Sequence, residues 1–396
     1  MEKIYNLLVR KETEMNRSKV NMNADILDLY DFIISEKNLA EEFVQTVQEE
    51  DVIVLWGAGK ALYWYMRFFE MKEIHPSLII DKNASLCGKV LYGCKIEPPD
   101  YIIGIEDIEN IKIVITTPRY KKEVTQEIQK LYGNVKIYSF EAEIYFTFLR
   151  NMKQYREYLT SNINNLALLY EELNDDKSKQ TLIAFIKGRV SANQDYFSEV
   201  MVENQYFPQD IVVLNDREVI VEAGSNDGST LKNILEVTKG KFERIYCFEP
   251  DLICIPLLEE IINKEKNISL ITKGVGAIGG EVKFKTDALS GGSRVVTSGE
   301  YDYKIDITTI DEEVKQCVSM IKMDIEGLEL EALKGCKRIL AEDAPKLAIC
   351  VYHRAQDIIE IWQYLKRIQP QYKFYLRHHN WGATETVLYA ITDEAR

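Results

Sequence analysis

An acidic turn containing two glycines follows an apolar segment in the second half of the chain. Apolar residues 219–221 lead into Glu222, and the turn reads Gly-Ser-Asn-Asp-Gly over residues 224–228. In an open parallel sheet, ligands bind beyond the carboxyl ends of the strands, usually at the turn after the first strand. Glycines permit a sharp turn there, and backbone N–H groups at the start of the next helix can bind a polar ligand. The predicted ligand-binding residues of this turn are Glu222, Gly224, Ser225, Asn226, Asp227 and Gly228.

The charges of the turn indicate which ligand it holds. A phosphate requires a positive environment, whereas the turn carries Glu222 and Asp227 and contains no lysine or arginine. The next strand ends at Glu249, followed by Pro250, and a carboxylate at this position can accept both ribose hydroxyls of an adenosine. An adenosine that carries a positive sulfonium and no phosphate is S-adenosylmethionine. We therefore predict that the turn, Glu249 and Pro250 bind this cofactor; a purely structural turn is the alternative.

Methyl transfer from a sulfonium to a hydroxyl requires in-line alignment and removal of the hydroxyl proton. Asp324 and His353 each follow an apolar segment, so they should meet at the same sheet edge, as catalytic base and orienting partner, with Asp324 also beside the cofactor. Asp324, Glu326 and His353 could instead ligate a divalent metal that lowers the pKa of the hydroxyl. Helix capping by the two acids and a core position for His353 are the structural alternatives. Lys322 is expected to pair with a carboxylate or to reach solvent.

A cluster of polar residues ends the sixth strand expected in this half. Arg377, His378 and His379 are predicted to contact the methyl acceptor, and the indole of Trp381 could stack on a sugar. Adjacent side chains on a strand point to opposite faces, so at most one of the two histidines should face the acceptor. An ordinary edge-strand surface is the alternative.

The order of the elements predicts how these residues are brought together. From residue 218 onward, apolar strands alternate with helices, which predicts a parallel sheet covered on both faces. The last two strands, residues 372–379 and 384–392, have no helix between them and should form an antiparallel pair at one edge. Residues 281–286 and 304–311 are predicted to be an inserted antiparallel pair. The expected fold is α/β, with a mostly parallel seven-stranded sheet and an antiparallel edge hairpin.

The first half of the chain also alternates strand and helix, which predicts a smaller Rossmann-like domain. Its turn at residues 56–60, Trp-Gly-Ala-Gly-Lys, resembles a phosphate-binding turn without the third glycine. Lys60 would favour a phosphate and Asp81 stands where a ribose partner would be, so nucleotide-sugar binding is a hypothesis beside a purely structural role. The predicted organisation is a helical segment (1–48), the Rossmann-like domain (49–140), a helical connector (141–210) and the cofactor-binding domain (211–396).

Composition excludes several classes of partner. The formal net charge of the 396 residues is −14, which argues against nucleic acid and against anionic lipid surfaces. The sequence predicts neither a membrane span nor a signal peptide. Seven cysteines without a C-x-x-C pair indicate buried thiols in a reducing cytoplasm rather than disulfides or a zinc site. The expected partner is a small-molecule or glycan acceptor, and a homodimer is compatible with the sequence.

The motifs of the second half resemble those of the FkbM-type methyltransferases. The stretch IKMDIEGLELEALKGCKRIL, residues 321–340, is similar to the family's K-x-D-x-E-G-x-E block, and VEAGSNDGSTL and FEPD are similar to its cofactor motifs. YHRAQD and YKFYLRHHNWGATETVLYA resemble the tail of its two-domain bacterial members. The resemblance covers about residues 200–392 and implies a class I methyltransferase fold with S-adenosylmethionine as methyl donor, usually to a hydroxyl oxygen. Glu222 stands where many members have aspartate, which retains the carboxylate.

The sequence therefore predicts an S-adenosylmethionine-dependent O-methyltransferase that acts on a sugar or glycan precursor of a bacterial surface polysaccharide. The glycan context comes from the resemblance and from the first domain. A non-sugar acceptor stays open. A nicotinamide-dependent sugar-nucleotide oxidoreductase or epimerase is the competing class, but no Tyr-x-x-x-Lys pair stands in a plausible place after the turn at 56–60. A non-catalytic scaffold would not need Glu222, Gly224, Glu249 and Asp324 together.

Overall fold

The computed structural model describes residues 23–104, 108–147, 151–286 and 293–393. Of the predicted helical segment at residues 1–48, residues 1–22 lie outside this part. The described remainder forms two helices, α1 (Ala24–Ser35) and α2 (Leu39–Thr46). Asn23 and Asn38 cap them by accepting backbone N–H groups of the first turn, as asparagine commonly does at a helix start.

The first half contains a six-stranded, mostly parallel sheet with helices between its strands. Its strands are β1 (Val52–Trp56), β2 (Leu78–Ile80), β3 (Val90–Leu91), β4 (Cys94–Glu97), β5 (Ile111–Ile115) and β6 (Lys136–Tyr138), and its helices are α3 (Leu62–Met71) and α4 (Lys121–Tyr132). The strand order is β3-β4-β2-β1-β5-β6, with only β3 antiparallel to its neighbour. β1 and β5 are almost wholly apolar and buried, as strands covered on both faces must be. The helix α4 ends at Gly133, whose φ of +69° forms the C-cap expected of glycine.

A helical connector joins the two halves. Its helices are α5 (Ile144–Thr147), α6 (Met152–Ser161), α7 (Ile163–Glu172), α8 (Asp176–Ser191) and α9 (Gln194–Val200). Asp175 caps α8, because its carboxylate accepts the Ser178 N–H at 2.7 Å. The buried apolar core runs without a break through this connector, from Leu55 of the first sheet through Phe185 of α8 to the second half of the chain.

The second half is built on a seven-stranded sheet. Its strands are β7 (Val219–Ala223), β8 (Arg244–Phe248), β9 (Ile268–Ile271), β14 (Met320–Met323), β15 (Lys346–Cys350), β16 (Lys373–His378) and β17 (Thr386–Ile391). Its helices are α10 (Ser229–Val237), α11 (Ile255–Ile262), α12 (Ile310–Glu313), α13 (Glu329–Lys334), α14 (Lys337–Glu342) and α15 (Asp357–Ile368). The order is β16-β17-β15-β14-β7-β8-β9, parallel except at β17. The predicted seven-stranded sheet with an antiparallel edge hairpin is confirmed.

A small inserted sheet stands beside the seven-stranded one. It comprises β10 (Gly274–Val275), β11 (Gly280–Lys285), β12 (Arg294–Val296) and β13 (Tyr303–Thr308). β11 and β13 are antiparallel, which confirms the predicted pair, and two short strands, β10 and β12, extend it on either side. Among the described helices, none combines the length and the apolar composition that crossing a bilayer requires.

Candidate functional site

A cavity of about 270 Å³ lies at the carboxyl ends of β7, β8 and β14. Its walls include Gly224 and Asn226 of the turn after β7, Glu249 after β8, and Asp324 after β14. The three strands are neighbours and parallel, so their carboxyl ends meet at one edge. The cavity therefore occupies the position where open α/β sheets bind ligands.

The turn after β7 passes directly over the end of β14. Gly224 has a φ of +79°, and a Cβ atom at this position would lie 1.8 Å from the Asp324 carbonyl oxygen. Its N–H donates to the Phe248 carbonyl oxygen at 3.0 Å. Gly228 also has a φ of +79° and starts α10, where a Cβ atom would lie 2.4 Å from Ile261 Cδ1. Both positions therefore exclude a side chain.

Glu249 is the best-organised carboxylate of the cavity. One oxygen accepts the Asn226 N–H at 2.7 Å, and the other accepts the Asp251 N–H at 2.8 Å. Each carboxylate oxygen has a second lone pair available for a ligand hydroxyl. Burial raises the pKa of Glu249. Pro250, also predicted at this site, lines the cavity beside it.

Two acids of the predicted cofactor set do not line the cavity. Glu222 is fully buried behind the turn, where its carboxylate accepts the Ser225 hydroxyl at 3.0 Å and the Cys247 thiol at 3.4 Å. Asp227 faces solvent and accepts the Ser229 N–H at 2.9 Å, which lowers its pKa. Glu222 therefore holds the turn from behind, while Asp227 organises the start of α10. Neither side chain lines the cavity, so the structure gives both acids an indirect role, and direct cofactor contact by them stays a prediction.

Asp324 is held as a charged carboxylate on the wall of the cavity. Its oxygens accept the Tyr206 hydroxyl at 2.7 Å and the Tyr352 hydroxyl at 3.1 Å. Burial alone would raise its pKa, but the charges of Lys322 and His353 hold that pKa below the usual aspartate value. Tyr206 lies 118 positions before Asp324 in the chain, so the motif around Asp324 does not identify it.

His353 lies behind the cavity among three carboxylates. Its Nδ1 lies 3.0 Å from Glu329 Oε1, and its Nε2 lies 3.4 Å from Asp324 Oδ1 and 3.7 Å from Glu326 Oε2. Burial alone would lower the pKa of His353, but Glu329 and Glu326 raise it well above the usual value. A histidine in this state is an imidazolium that orients the acids. This arrangement is compatible with the orienting role predicted for His353 beside Asp324.

Glu326 reaches the cavity through an uncommon backbone conformation. Its φ is +58°, and Gly327 follows with a φ of +92°, so the chain folds back sharply after β14. Burial raises the pKa of Glu326 to about 7, although the charge of His353 opposes this. The carboxyl group is thus positioned at the cavity wall, and its pKa lies near neutral pH.

Glu385 is a further acid on the wall of this cavity, and no motif in the sequence marks it. It accepts hydrogen bonds from Gln205 Nε2 and, at 3.4 Å, from the Tyr352 hydroxyl. Burial and the Asp324 charge raise its pKa to about 7. Glu385 lies just before β17, outside any recognisable motif, and its φ of +67° is a left-handed backbone conformation that is uncommon for a residue other than glycine.

The cavity is not free of basic side chains, which corrects the electrostatic argument from the turn alone. Lys322 is almost fully buried; its Nζ donates to the Gly224 carbonyl oxygen at 2.7 Å and lies 4.9 Å from the centre of the Tyr206 ring. It neither reaches solvent nor forms a direct carboxylate pair. The carboxylates that line the cavity outnumber the cations by five to three: Glu249, Asp251, Asp324, Glu326 and Glu385 against Lys273, Arg294 and Lys322.

The residues at the end of β16 that were predicted to contact the acceptor contact other parts of the protein instead. Arg377 is 1% exposed, and its guanidinium binds the carboxylates of Asp175 and Asp210 at 2.6 and 2.9 Å. His378 is fully buried, hydrogen-bonds Thr386 at 2.8 Å and stacks on Phe197.

Both ring nitrogens of His379 are engaged as well, with the Val202 carbonyl oxygen and the Tyr389 hydroxyl, each at 2.9 Å. The prediction of acceptor binding by Arg377, His378 and His379 is therefore corrected. The three side chains fasten the edge hairpin to the helical connector and the segment after it.

The acids and His353 also bear on the predicted metal site. Ligand atoms of Asp324, Glu329 and His353 lie within 4.8 Å of one another, as do those of Asp324, Cys350 and Glu385. His353 would have to lose the proton that its carboxylate neighbours stabilise before it could coordinate a metal. These side chains therefore fit a hydrogen-bonded cluster of charges better than a binding site for a divalent metal. The third residue that comes together with Asp324 and His353 is Glu329 and not the predicted Glu326.

The chain is similar to a solved methyltransferase over nearly its whole length. The crystal structure of methyltransferase FkbM from Methylobacillus flagellatus KT is 26% identical, with a TM-score of 0.74, and the match covers 93% of this chain and 99% of that one. The likeness therefore includes the first sheet and the connector as well as the second sheet.

A family model agrees with this likeness. Residues 222–374 match the methyltransferase FkbM domain. Far weaker likenesses include an rRNA methylase from Streptococcus thermophilus, 14% identical with a TM-score of 0.30, covering 50% of this chain and 92% of that one. Fibrillarin from Aeropyrum pernix with natively bound S-adenosyl-L-methionine is 12% identical, with a TM-score of 0.30, covering 46% and 71%. No curated protein matches the sequence.

Proposed function

The chain carries an FkbM-type methyltransferase domain and is a methyltransferase, and on this premise we propose that it transfers a methyl group from S-adenosylmethionine to a hydroxyl of a sugar or glycan precursor. The acceptor would belong to the assembly of a bacterial surface polysaccharide. The family resemblance supports this context.

The observation that carries the cofactor assignment is the geometry of Glu249. Its two oxygens are fixed by backbone N–H groups from the turn after β7 and from its own strand end. A carboxylate fixed in this way offers two parallel acceptors to the vicinal hydroxyls of a ribose. The cavity it lines has an excess of carboxylates, which favours a sulfonium nucleoside over a phosphorylated one.

We assign to Glu326 the role of general base, which accepts the proton of the acceptor hydroxyl. Its carboxyl group lines the cavity, and a pKa of about 7 suits a general base at neutral pH. Asp324 stays charged beside it and can stabilise the positive sulfonium, while His353 fixes the orientation of both acids from behind. His353 is therefore a positioning residue, and we propose Glu326 rather than Asp324 as the catalytic base.

Calorimetric titration with S-adenosylhomocysteine and with NAD tests the cofactor. We expect S-adenosylhomocysteine to bind and NAD to give no heat, and the reverse result would contradict the proposal. The acceptor is tested by transfer of a tritiated methyl group to nucleotide sugars and to glycan fractions. A chelator should leave the rate unchanged, since the cluster around His353 is satisfied by its own charges; loss of activity that zinc, magnesium or manganese restores would reinstate the metal.

A further inference from the structure

A second cavity, of about 170 Å³, lies between the two halves of the molecule. One wall is formed by the first sheet, with Trp64 on α3 and Arg119 after β5. The other wall is formed by Asn380 and Trp381 in the loop of the β16–β17 hairpin. In the first sheet β1 lies between β2 and β5. The strands that follow β1 in the chain are added on its β2 side, and β5 is then added on its opposite side. The cavity thus lies at the point where open α/β sheets form their ligand crevice.

The carboxyl edges of the two sheets face each other across this region. Lys60, in the turn after β1, contributes to lowering the pKa of Asp227, in the turn after β7. On the other side, burial and Glu141 raise the pKa of Glu143, and the charges of Glu385 and Glu326 contribute to the same shift. Glu143 lines the second cavity, whereas Glu385 and Glu326 line the first. The two cavities are therefore close enough for their charges to interact.

A buried carboxyl group of the second cavity has an oxygen that is hydrogen-bonded only weakly. Glu141 is 4% exposed; its Oε1 accepts the Glu143 N–H at 3.0 Å, whereas its Oε2 makes no hydrogen bond of normal geometry to any described residue, although the Ala383 N–H and the Gln194 amide are near enough to lower the pKa of the carboxyl group. Burial raises its pKa to about 7, so near neutral pH the group can donate as well as accept. A buried carboxyl oxygen whose own partners are poorly aligned can still bind a better-placed group of a ligand.

The chemistry of the walls identifies the ligand class. Trp64, which stacks on Phe146, and Trp381 contribute apolar indole surface to the cavity, and Glu141 contributes a carboxyl group. The Asn380 amide already bonds the Thr384 hydroxyl and the Trp381 N–H, so it offers only its remaining hydrogen-bonding capacity. This combination suits a ring that carries several hydroxyls. The cation of Arg119 lies at the solvent-exposed rim, and Lys60 is exposed in the neighbouring turn, where an anionic substituent would be neutralised.

We propose that this second cavity is the acceptor site, binding the sugar ring of a sugar diphosphate between Trp64 and Trp381 with its phosphates toward Lys60 and Arg119. The inference rests on the proposed methyl transfer and gives the first domain a role in it. With S-adenosylmethionine in the first cavity, the reacting hydroxyl of the ring would have to come within about 3–3.5 Å of the methyl group and within reach of Glu326.

The test is calorimetric titration of the full chain with UDP-glucose, GDP-mannose and dTDP-glucose. The corresponding free nucleotides and glucose 1-phosphate separate the nucleotide, phosphate and sugar contributions. We expect at least one nucleotide sugar to bind more tightly than its free nucleotide. If glucose 1-phosphate binds as tightly as the best nucleotide sugar, the second phosphate contributes nothing and the proposed preference for a sugar diphosphate is wrong. If none of the three nucleotide sugars nor glucose 1-phosphate gives heat, the inference is wrong.

Substitutions of residues that line the second cavity test whether the sugar binds there. Trp381→Ala and Glu141→Gln should each weaken sugar binding at least tenfold and leave S-adenosylhomocysteine binding unchanged; Tyr101→Ala, an exposed aromatic of the same domain, is the control. Should either variant fail to fold, Arg119→Ala on the surface should weaken nucleotide-sugar binding about fivefold, with Lys130→Ala as its charge-matched control. Equal affinities in variants and controls would overturn the assignment. Intact S-adenosylhomocysteine binding would then leave the methyltransferase proposal standing, whereas its absence in the wild type would remove that proposal instead.

Discussion

The Tyr206 hydroxyl donates a hydrogen bond to Asp324 Oδ2 at 2.7 Å, and the ring of the same tyrosine lies beneath the Lys322 ammonium. The tyrosine belongs to the segment that precedes the second sheet, whereas both partners belong to the end of β14. Asp324 is thus fixed by a residue that the family block around it does not contain. The orientation and the charge of this acid depend on a contact between distant parts of the chain.

Tyr206→Phe should lower turnover about tenfold, the effect expected when a hydrogen bond to a charged group is lost. The Tyr206 hydroxyl contributes to the depressed pKa of Asp324, so its removal should raise that pKa. Because Glu326, with a pKa of about 7, sets the main rise of the rate with pH, the effect should appear as a change in slope of the profile at lower pH. Tyr375→Phe, which removes a buried hydroxyl contact with Asn174, is the matched control. An unchanged profile in Tyr206→Phe would show that the contact has no role in setting the charge of Asp324.

Glu249→Ala should weaken S-adenosylhomocysteine binding by about 1.5–3 kcal/mol, because a charged acceptor of the ribose hydroxyls is lost. Calorimetry measures this directly. Glu249→Gln separates the ribose contacts from the backbone contacts, since the amide can still accept one N–H. Exposed Glu243→Ala at the start of β8 should bind as the wild type does. If Glu249→Ala binds normally, the ribose lies elsewhere.

Glu326→Gln should lower turnover by about 100-fold or more, the range typical of a lost general base, while cofactor affinity stays unchanged. Because the base must be unprotonated and the pKa of Glu326 is about 7, the wild-type rate should rise through neutral pH and level off above it. His353→Asn should affect this profile differently: loss of the imidazolium should raise the pKa of Glu326 and move the rise to higher pH. Full activity in Glu326→Gln would refute the assignment of the base.

Gly224→Ala should abolish cofactor binding and destabilise the fold, because a Cβ atom at this position would lie 1.8 Å from the Asp324 carbonyl oxygen. Gly240→Ala is a matched control: Gly240 also has a positive φ, +67°, but nothing lies within 4 Å of the point that a Cβ atom would occupy there. The control should lose only the 1–2 kcal/mol or so that a left-handed alanine costs. Chemical denaturation of both variants measures the difference, and equal losses would mean that backbone strain alone matters at Gly224.

Glu141 predicts a pH dependence of stability. Its pKa is about 7 in the folded chain against 4.5 as the usual value, so between these pH values the folded state binds a proton that the unfolded state has lost. The free energy of unfolding should therefore fall as pH rises from 4.5 to 7, by about 3 kcal/mol at most. Glu141→Gln should make this fall smaller than in the wild type, with the share due to Glu326 and Glu385 remaining, and should be more stable than the wild type at pH 8, as measured by urea denaturation. Exposed Glu123→Gln should follow the wild type; a parallel fall in Glu141→Gln would contradict the prediction.

Local patterns were sufficient to predict the framework of the second sheet. The alternation of apolar strands and helices, and the missing helix before the last strand, specify the parallel sheet and its edge hairpin. Glu249 was identified because its position at a strand end is a local property. These features depend on periodicity and turn chemistry, which neighbouring residues determine.

Features that depend on distant partners were missed or misassigned. Arg377 and His378 were expected to face an acceptor, but Asp175 and Asp210 of the connector region and Phe197 of α9 occupy their surroundings. Glu385 joins the acidic cavity only because the hairpin returns beside β15. The protonation of His353 likewise depends on carboxylates brought together by the fold.

The contact between Gly224 and Asp324 couples two turns that a sequence motif would treat separately. Because no side chain separates them, the turn after β7 and the turn after β14 behave as one mechanical unit. The spacing between the proposed methyl donor and the acid beside it is therefore set by backbone packing rather than by a side chain that could change rotamer.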